Sequence, residues 1–191
     1  MKIKLTALSL IVFASISATV LSNQELSESN LLVKEVLSSN YDNEILNNET
    51  LNYKKAIKNG NIVMISFLDK PSIKTNNDHE IYNIKNLDRF MENVNQGKKD
   101  KIRIVKYVRK DEKTWVNKLY DLEYDGHKIF NTAYDTYSDP NAFIPSSDPY
   151  GSDYIEKRDY PNDLWYGGIT ENKEGKKGYS IISFKKSSII N

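Results

Sequence analysis

Side chains able to do chemistry are few in this sequence, and their spacing does not match a known reactive centre. The chain has two histidines, His79 and His127, and no cysteine. A zinc site needs about three or four His, Cys or carboxylate ligands, and no His-x-x-x-His or comparable spacing is present. No serine lies in the glycine pattern that surrounds the nucleophile of a serine hydrolase. We therefore predict no catalytic residue.

Acidic residues crowd one proline-rich stretch, residues 135–161, which we predict to be a long loop. Asp135 and Asp139 are the candidate metal ligands there, and Asp148 and Asp153 lie in the same stretch. Calcium takes about six to eight oxygen ligands and orders such loops in exported proteins. The spacing does not match an EF-hand, and any solvated loop is rich in aspartate and proline. The sequence therefore predicts no cofactor, with a bound calcium ion as the alternative.

Aromatic residues are concentrated in and beside the same stretch. Tyrosine and tryptophan offer large, stiff, amphipathic contact area at low entropic cost, which suits a sugar ring or a partner protein. Alternatively, these rings fold back over one end of a sheet, as half-buried aromatics do in small β-rich domains. The predicted ligand-binding residues are Tyr134, Tyr137, Tyr150, Tyr154, Trp165 and Tyr166.

Charge does not favour nucleic acid as a partner. Lys and Arg number 27 and Asp and Glu 26, so the chain has no long-range attraction for phosphates or anionic lipid. A basic stretch surrounds Arg103, Lys106 and Arg109, but on a strand Lys106 would lie on the opposite face from the two arginines. Asp100 and Asp111 interrupt this stretch. We interpret it as a solvated rim.

The elements that would position these residues begin near residue 51. A short helix over residues 51–59 ends at Gly60, and the apolar run 62–68 has the length of a strand covered on both faces. The next helix follows a cap at Asn83 or Asn86, and its apolar residues lie at i, i+3, i+4 and i+7. That single face consists of Leu87, Phe90, Met91 and Val94.

Strands follow this helix. Residues 102–108 read as a central strand, and residues 115–124 and 127–134 flank Asp125-Gly126, a strong hairpin signal. A two-residue turn would pair Leu122 with Ile129. Two last strands are predicted at residues 164–170 and 179–185. The predicted fold class is α+β, with one main amphipathic helix packed on an antiparallel sheet of about five or six strands.

The N-terminus has the pattern of an export signal. Lys2 and Lys4 precede an uncharged run over residues 5–21, and small residues end at Ser22. An uncleaved anchor is the alternative, although the run is shorter than the roughly 20 residues that span a bilayer. We predict a signal peptide at 1–22, a flexible leader at 23–50 and one domain at 51–191. Without cysteine the chain has no lipid attachment point.

Several motifs resemble one protein family. They are Lys-Ala-Ile-Lys-Asn-Gly-Asn-Ile-Val (55–63), Asn-Leu-Asp (86–88), Gly-Lys-Lys-Asp-Lys-Ile-Arg-Ile (97–104), Tyr-Asp-Gly (124–126) and Tyr-Gly (150–151). Over residues 51–135 the chain is similar to the family called domain of unknown function 4362. This resemblance implies an exported protein of a Gram-positive spore-former, often lipid-anchored, with no assigned activity. The chain departs in lacking the lipid-attachment cysteine and in extra residues near 140–148.

Three function classes therefore stay open. The expected one is an exported, non-catalytic module of the cell envelope or secreted fraction, which binds a protein or cell-wall component through its aromatic residues. The second is a secreted hydrolase using loop carboxylates such as Asp135 or Asp139. The third is a structural or inhibitory domain acting through a sheet edge. Contact with a membrane is expected only through an uncleaved N-terminal segment.

Overall fold

The computed structural model describes residues 45–68 and 79–190. The predicted signal peptide, most of the predicted leader and most of the polar connection before His79 lie outside the described residues. The compact unit spans Ile45–Asn191 and so begins six residues before the predicted boundary at residue 51. Leu46 and Leu51 are both buried in it.

Strands make up most of the described chain. Two α-helices are described, α1 (Tyr53–Lys58) and α2 (Lys85–Asn95), and a 3₁₀ turn covers Lys186–Ser188. The strands are β1 (Ile62–Phe67), β2 (His79–Tyr82), β3 (Asp100–Lys110), β4 (Lys113–Tyr124), β5 (Ile129–Asp135), β6 (Ile144–Pro145), β7 (Tyr150–Ser152), β8 (Tyr154–Asp159), β9 (Asp163–Asn172) and β10 (Gly175–Lys185).

The strands form two sheets. The larger, seven-stranded sheet has the order β2-β1-β3-β4-β5-β6, with β7 also pairing with β5. The smaller sheet has the order β10-β9-β8. All described neighbours are antiparallel except β1 and β3, which run parallel because β2 and α2 carry the chain back between them.

The main core lies between the two sheets and includes α2. Ile104 and Leu122 of the larger sheet pack in one cluster with Tyr166 and Ile182 of the smaller sheet and Phe90 of α2. We call the face of the larger sheet that enters this core its inner face, and the opposite face its outer face. On the outer face, Tyr107 donates a hydrogen bond to the Leu51 carbonyl over 2.5 Å, which ties the segment before α1 to the sheet.

The predicted fold class is wrong. The protein is sheet-dominated, with ten described strands in two sheets, and is not a helix packed on one antiparallel sheet. The predicted loop over residues 135–161 contains β6, β7 and β8, and β8 is an edge strand of the second sheet, which the prediction therefore lacks. The prediction also missed the parallel pairing of β1 with β3, since strand pattern alone does not give direction.

Local predictions were partly correct. Helix α2 is present, with Leu87 and Phe90 buried, but the asparagines do not cap it. Asn83 instead donates to the Ile57 carbonyl over 2.8 Å, and Asn86 donates to the Gly60 carbonyl over 2.7 Å. These side chains therefore hold the turn between α1 and β1 against the start of α2.

The β4–β5 hairpin is confirmed, but its predicted register is wrong by two residues. Ile129 lies opposite Tyr124 and not opposite Leu122. The Asp125 carboxylate accepts hydrogen bonds from the backbone N–H groups of His127 and Lys128, over 2.7 and 2.8 Å, and so widens the turn. A shift of two residues keeps each side chain on its predicted face.

No helix within the described ranges 45–68 and 79–190 is long and apolar enough to cross a membrane.

Candidate functional site

The predicted aromatic residues do not form one surface. Tyr166 is fully buried in the main core, and its hydroxyl donates to the Asp88 carboxylate of α2 over 3.0 Å. Burial raises the pKa of Tyr166 to about 12, so its hydroxyl stays protonated. Tyr134 is also buried, on the outer face of the larger sheet. These two side chains stabilise the fold and present no contact area.

A buried group of charges surrounds Tyr134. Its hydroxyl donates to the Asp121 carboxylate over 2.9 Å, and Arg103 donates to both oxygens of the same carboxylate. The Lys101 amine lies 4.0 Å from Asp121 and 3.9 Å from Glu123. Each carboxylate therefore has a cation beside it, an arrangement that suits a structural ion cluster better than a proton donor.

The predicted metal ligands stabilise the turns in which they lie. Asp135 accepts hydrogen bonds from the Ser138 hydroxyl and from the backbone N–H groups of Tyr137 and Ser138, and these bonds lower its pKa. Asp139 accepts from the Asn141 N–H over 2.7 Å. Within the described parts of the chain, no group of three or more His, Cys, Asp or Glu side chains could hold a metal ion.

Tyr137 and Tyr150 are the most exposed of the predicted residues, with 71% and 54% of their surface accessible. The Tyr137 hydroxyl donates to the Asn117 side chain of β4. The Tyr150 ring packs edge-on against Tyr179, with ring centres 5.1 Å apart. Tyr137 lies in the connection between β5 and β6, whereas Tyr150 is the first residue of β7.

Tyr154 and Trp165 share a surface on the side of the smaller sheet that faces away from the core. The side chain of Trp165 lies across Gly167, where any β-carbon would overlap the ring. The Arg158 guanidinium lies 4.6 Å from the centre of the Trp165 ring. Only glycine at position 167 allows the indole to lie this close to the sheet.

Two ion pairs hold this surface in shape. Arg158 makes two hydrogen bonds of 3.0 Å to the Glu156 carboxylate, and these lower the pKa of Glu156. The Lys176 amine donates to the Tyr154 hydroxyl over 3.0 Å and lies 3.5 Å from Glu171. We call the surface made by Tyr154, Glu156, Arg158 and Trp165 the aromatic platform.

The aromatic platform has the composition of a contact surface. Tryptophan, tyrosine and arginine carry much of the binding energy at protein interfaces, and their stacking here reduces the entropy lost on binding. The Trp165 ring has Gly167 and the Arg158 guanidinium as close neighbours, so a ligand at this ring would also contact Arg158. Side chains alternate between the two faces of β8, and this places Glu156 and Arg158 on the same face as Trp165. The pattern of aromatic residues in the sequence did not predict these two neighbours.

The family comparison supports the resemblance found in the motifs. Residues 74–159 match the family model described as domain of unknown function (DUF4362). The DUF4362 match begins after the motif at 55–63 and extends beyond residue 135 through β6, β7 and β8. It includes Tyr154, Glu156 and Arg158 but ends before Trp165. No curated protein and no solved structure is significantly similar to the chain.

Proposed function

We propose that this protein is an exported, non-catalytic binding module of the cell envelope or the secreted fraction. Its working surface is the aromatic platform, which contacts a cell-wall component or an envelope protein. The observation that carries the proposal is the stack of the Arg158 guanidinium on the Trp165 ring, 4.6 Å from its centre.

The stack supports binding because it is assembled before any partner arrives. The indole lies against Gly167 and has the Arg158 guanidinium 4.6 Å from its centre, while Glu156 fixes the guanidinium through two hydrogen bonds. Little rotamer freedom is left to lose, so more of the contact energy would appear as affinity. Exposed ion pairs alone contribute little to stability, which gives the arrangement a better rationale in recognition than in folding.

The export part of the proposal rests on the sequence. A basic start, an apolar run and small residues ending at Ser22 are the pattern of an export signal. The DUF4362 resemblance agrees with this, because it implies an exported protein of a Gram-positive spore-former. Mass spectrometry of protein recovered outside the cells would give the mature N-terminus. We expect it at Asn23, whereas intact chain confined to the cytosol would contradict export.

Co-sedimentation with purified cell-wall sacculi tests the binding surface. We expect Trp165→Ala to lower the bound fraction, with affinity at least about fivefold weaker, as for an interface residue worth over 1 kcal/mol. Tyr137→Ala is the matched control, since it removes an exposed ring outside the platform. Arg158→Ala leaves the indole in place and should also weaken binding.

The same four proteins should be compared on an array of purified envelope proteins, to separate a protein ligand from a wall polymer. Melting temperatures must show that each variant is folded. Equal binding by wild type, Trp165→Ala and Arg158→Ala in both assays would contradict the proposal.

A further inference from the structure

Lys106 and Lys118 form a like-charged pair on the inner face of the larger sheet. They lie opposite each other on β3 and β4. The Lys106 amine is half-buried, donates to the Ile181 carbonyl of the smaller sheet over 2.8 Å, and lies 5.4 Å from the centre of the Tyr120 ring. Lys118 is exposed, so one amine of the pair remains open to solvent.

Two β-bulges adjoin Lys106. The pairing of β3 with β4 shifts between Lys106 and Tyr107, which leaves Asn117 without an opposite residue. The pairing of β10 with β9 shifts between Ser180 and Ile182, which leaves Ile181 without an opposite residue on β9. Bulges redirect side chains and are over-represented next to active sites. The bulge at Asn117 lies beside Lys118. The bulge at Ile181 supplies the carbonyl that accepts the hydrogen bond from the Lys106 amine.

The charges of this pair are not balanced by acidic side chains. Like charges directly opposite each other on a sheet are destabilising. Within the described residues, neither amine forms a salt bridge with a carboxylate. By strand alternation, Asp135 of the neighbouring strand β5 lies on the same face, but its carboxylate accepts hydrogen bonds from the Ser138 hydroxyl and from backbone N–H groups.

Burial, with a further contribution from Lys118, lowers the pKa of Lys106 to about 8. The Tyr120 hydroxyl is the third polar group beside the two lysine amines. Tyr120 lies on the same inner face, beside the Lys106 amine, and makes no hydrogen bond to a described residue through its hydroxyl. Burial raises the pKa of Tyr120, so the hydroxyl remains a donor.

We propose that Lys106, Lys118 and Tyr120 bind an oxyanion, the phosphate or carboxylate group of a small ligand. The anion supplies the negative charge that the cross-strand lysine pair lacks. Charge-assisted hydrogen bonds from ammonium groups to such oxygens are short and strong. The Tyr120 hydroxyl adds a neutral donor. This site lies on the inner face of the larger sheet and does not depend on the aromatic platform.

Nuclear magnetic resonance of the full protein with ¹³C-labelled lysine tests the site, with inorganic phosphate and acetate as probes. In chloride, the Lys106 resonance should titrate near pH 8. Addition of phosphate or acetate in the millimolar range should move this midpoint upward, because the bound anion favours the charged amine. A response to phosphate alone assigns a phosphate ligand, and a response to acetate alone assigns a carboxylate.

Three variants complete the test. Lys118→Gln should weaken anion binding about tenfold, which is the size of one hydrogen bond to a charged group. Tyr120→Phe should weaken it less. Lys113→Gln is the control, because Lys113 forms a like-charged pair with Lys110 on the same two strands but at their exposed end.

Three outcomes would overturn the proposal. One is a Lys106 resonance that neither anion moves, and another is unchanged affinity in Lys118→Gln. The third is a loss in Lys113→Gln equal to that in Lys118→Gln. Because both of these lysines are exposed, their replacement does not endanger the fold.

Discussion

The Arg103 guanidinium and the Asp121 carboxylate face each other across β3 and β4 and are joined by hydrogen bonds of 2.8 and 2.9 Å. Asp121 is fully buried, and Tyr134 of β5 donates a third hydrogen bond to it. A buried carboxylate is tolerated only when it is paired and hydrogen-bonded. The pair therefore specifies the alignment of three neighbouring strands on the outer face.

Replacing Asp121 by alanine should destabilise the protein strongly. The change removes two acceptors from the Arg103 guanidinium and one from the Tyr134 hydroxyl. Removing one member of a buried pair costs about 3–5 kcal/mol, and we expect about 3 kcal/mol because Arg103 is partly exposed. Urea unfolding gives the free energy of unfolding. Asp163→Ala, an exposed acid, is the control, and a loss below about 1 kcal/mol for Asp121→Ala would contradict this role.

A second prediction concerns the glycine beneath Tyr179. A β-carbon at Gly168 would lie 2.5 Å from the Tyr179 ring, so Gly168→Ala must push this ring away. We expect a loss of about 1–3 kcal/mol in the free energy of unfolding, as for other overpacked sites. Gly151→Ala is the control, because its β-carbon would meet nothing within 4 Å.

The double variant Gly168→Ala with Tyr179→Ala separates this clash from a backbone effect. If the clash is the cause, the two losses should be clearly less than additive. Full additivity would show that alanine is tolerated poorly at position 168 for another reason.

Much of the local structure could be predicted from the sequence, but the long-range pairing could not. The apolar spacing of Leu87 and Phe90 located α2, and the Asp125-Gly126 signal located the hairpin. The register of that hairpin depends on the side chain of Asp125 bonding to the turn, which residue type alone does not reveal. The strands β6, β7 and β8 are short or polar. The prolines and aspartates in and around them are typical of a loop, so the sequence did not predict these strands.

The candidate site was predictable by residue type and not by position. Trp165 and Tyr166 are adjacent in the sequence, and a strand turns adjacent side chains to opposite faces. One therefore joins the aromatic platform, and the other enters the core. Lys106 was correctly placed on the opposite face from Arg103 and Arg109. Its amine donates a hydrogen bond to the Ile181 carbonyl of β10, which is distant in sequence, so no local pattern could indicate that contact.

The pH dependence of stability should report on Lys106. The folded-state pKa is about 8 and the unfolded value is 10.5, so between these values the unfolded state binds more protons. Stability of the wild type relative to Lys106→Gln should therefore rise as the pH increases through this window, by about 2–3 kcal/mol. Urea unfolding of both proteins across this pH range measures the difference in their free energies of unfolding. The contribution of the tyrosines cancels in this difference, because both proteins contain them. Lys113→Gln is the control, because it removes a lysine from the exposed end of the same two strands, and an equal slope in both comparisons would contradict the assignment to Lys106.

Residues before α1 should contribute to the free energy of unfolding. Leu46 is 5% exposed, and its carbonyl accepts a hydrogen bond from the Phe143 N–H over 2.5 Å. Leu46→Ala would leave a cavity, and such changes cost about 2–5 kcal/mol. We expect about 2 kcal/mol, because the site lies near the edge of the larger sheet, where the chain can partly collapse around it. Ile45→Ala is a matched control, since Ile45 is adjacent but 65% exposed. Equal and small effects of both changes in urea unfolding would place the energetic start of the domain after residue 46.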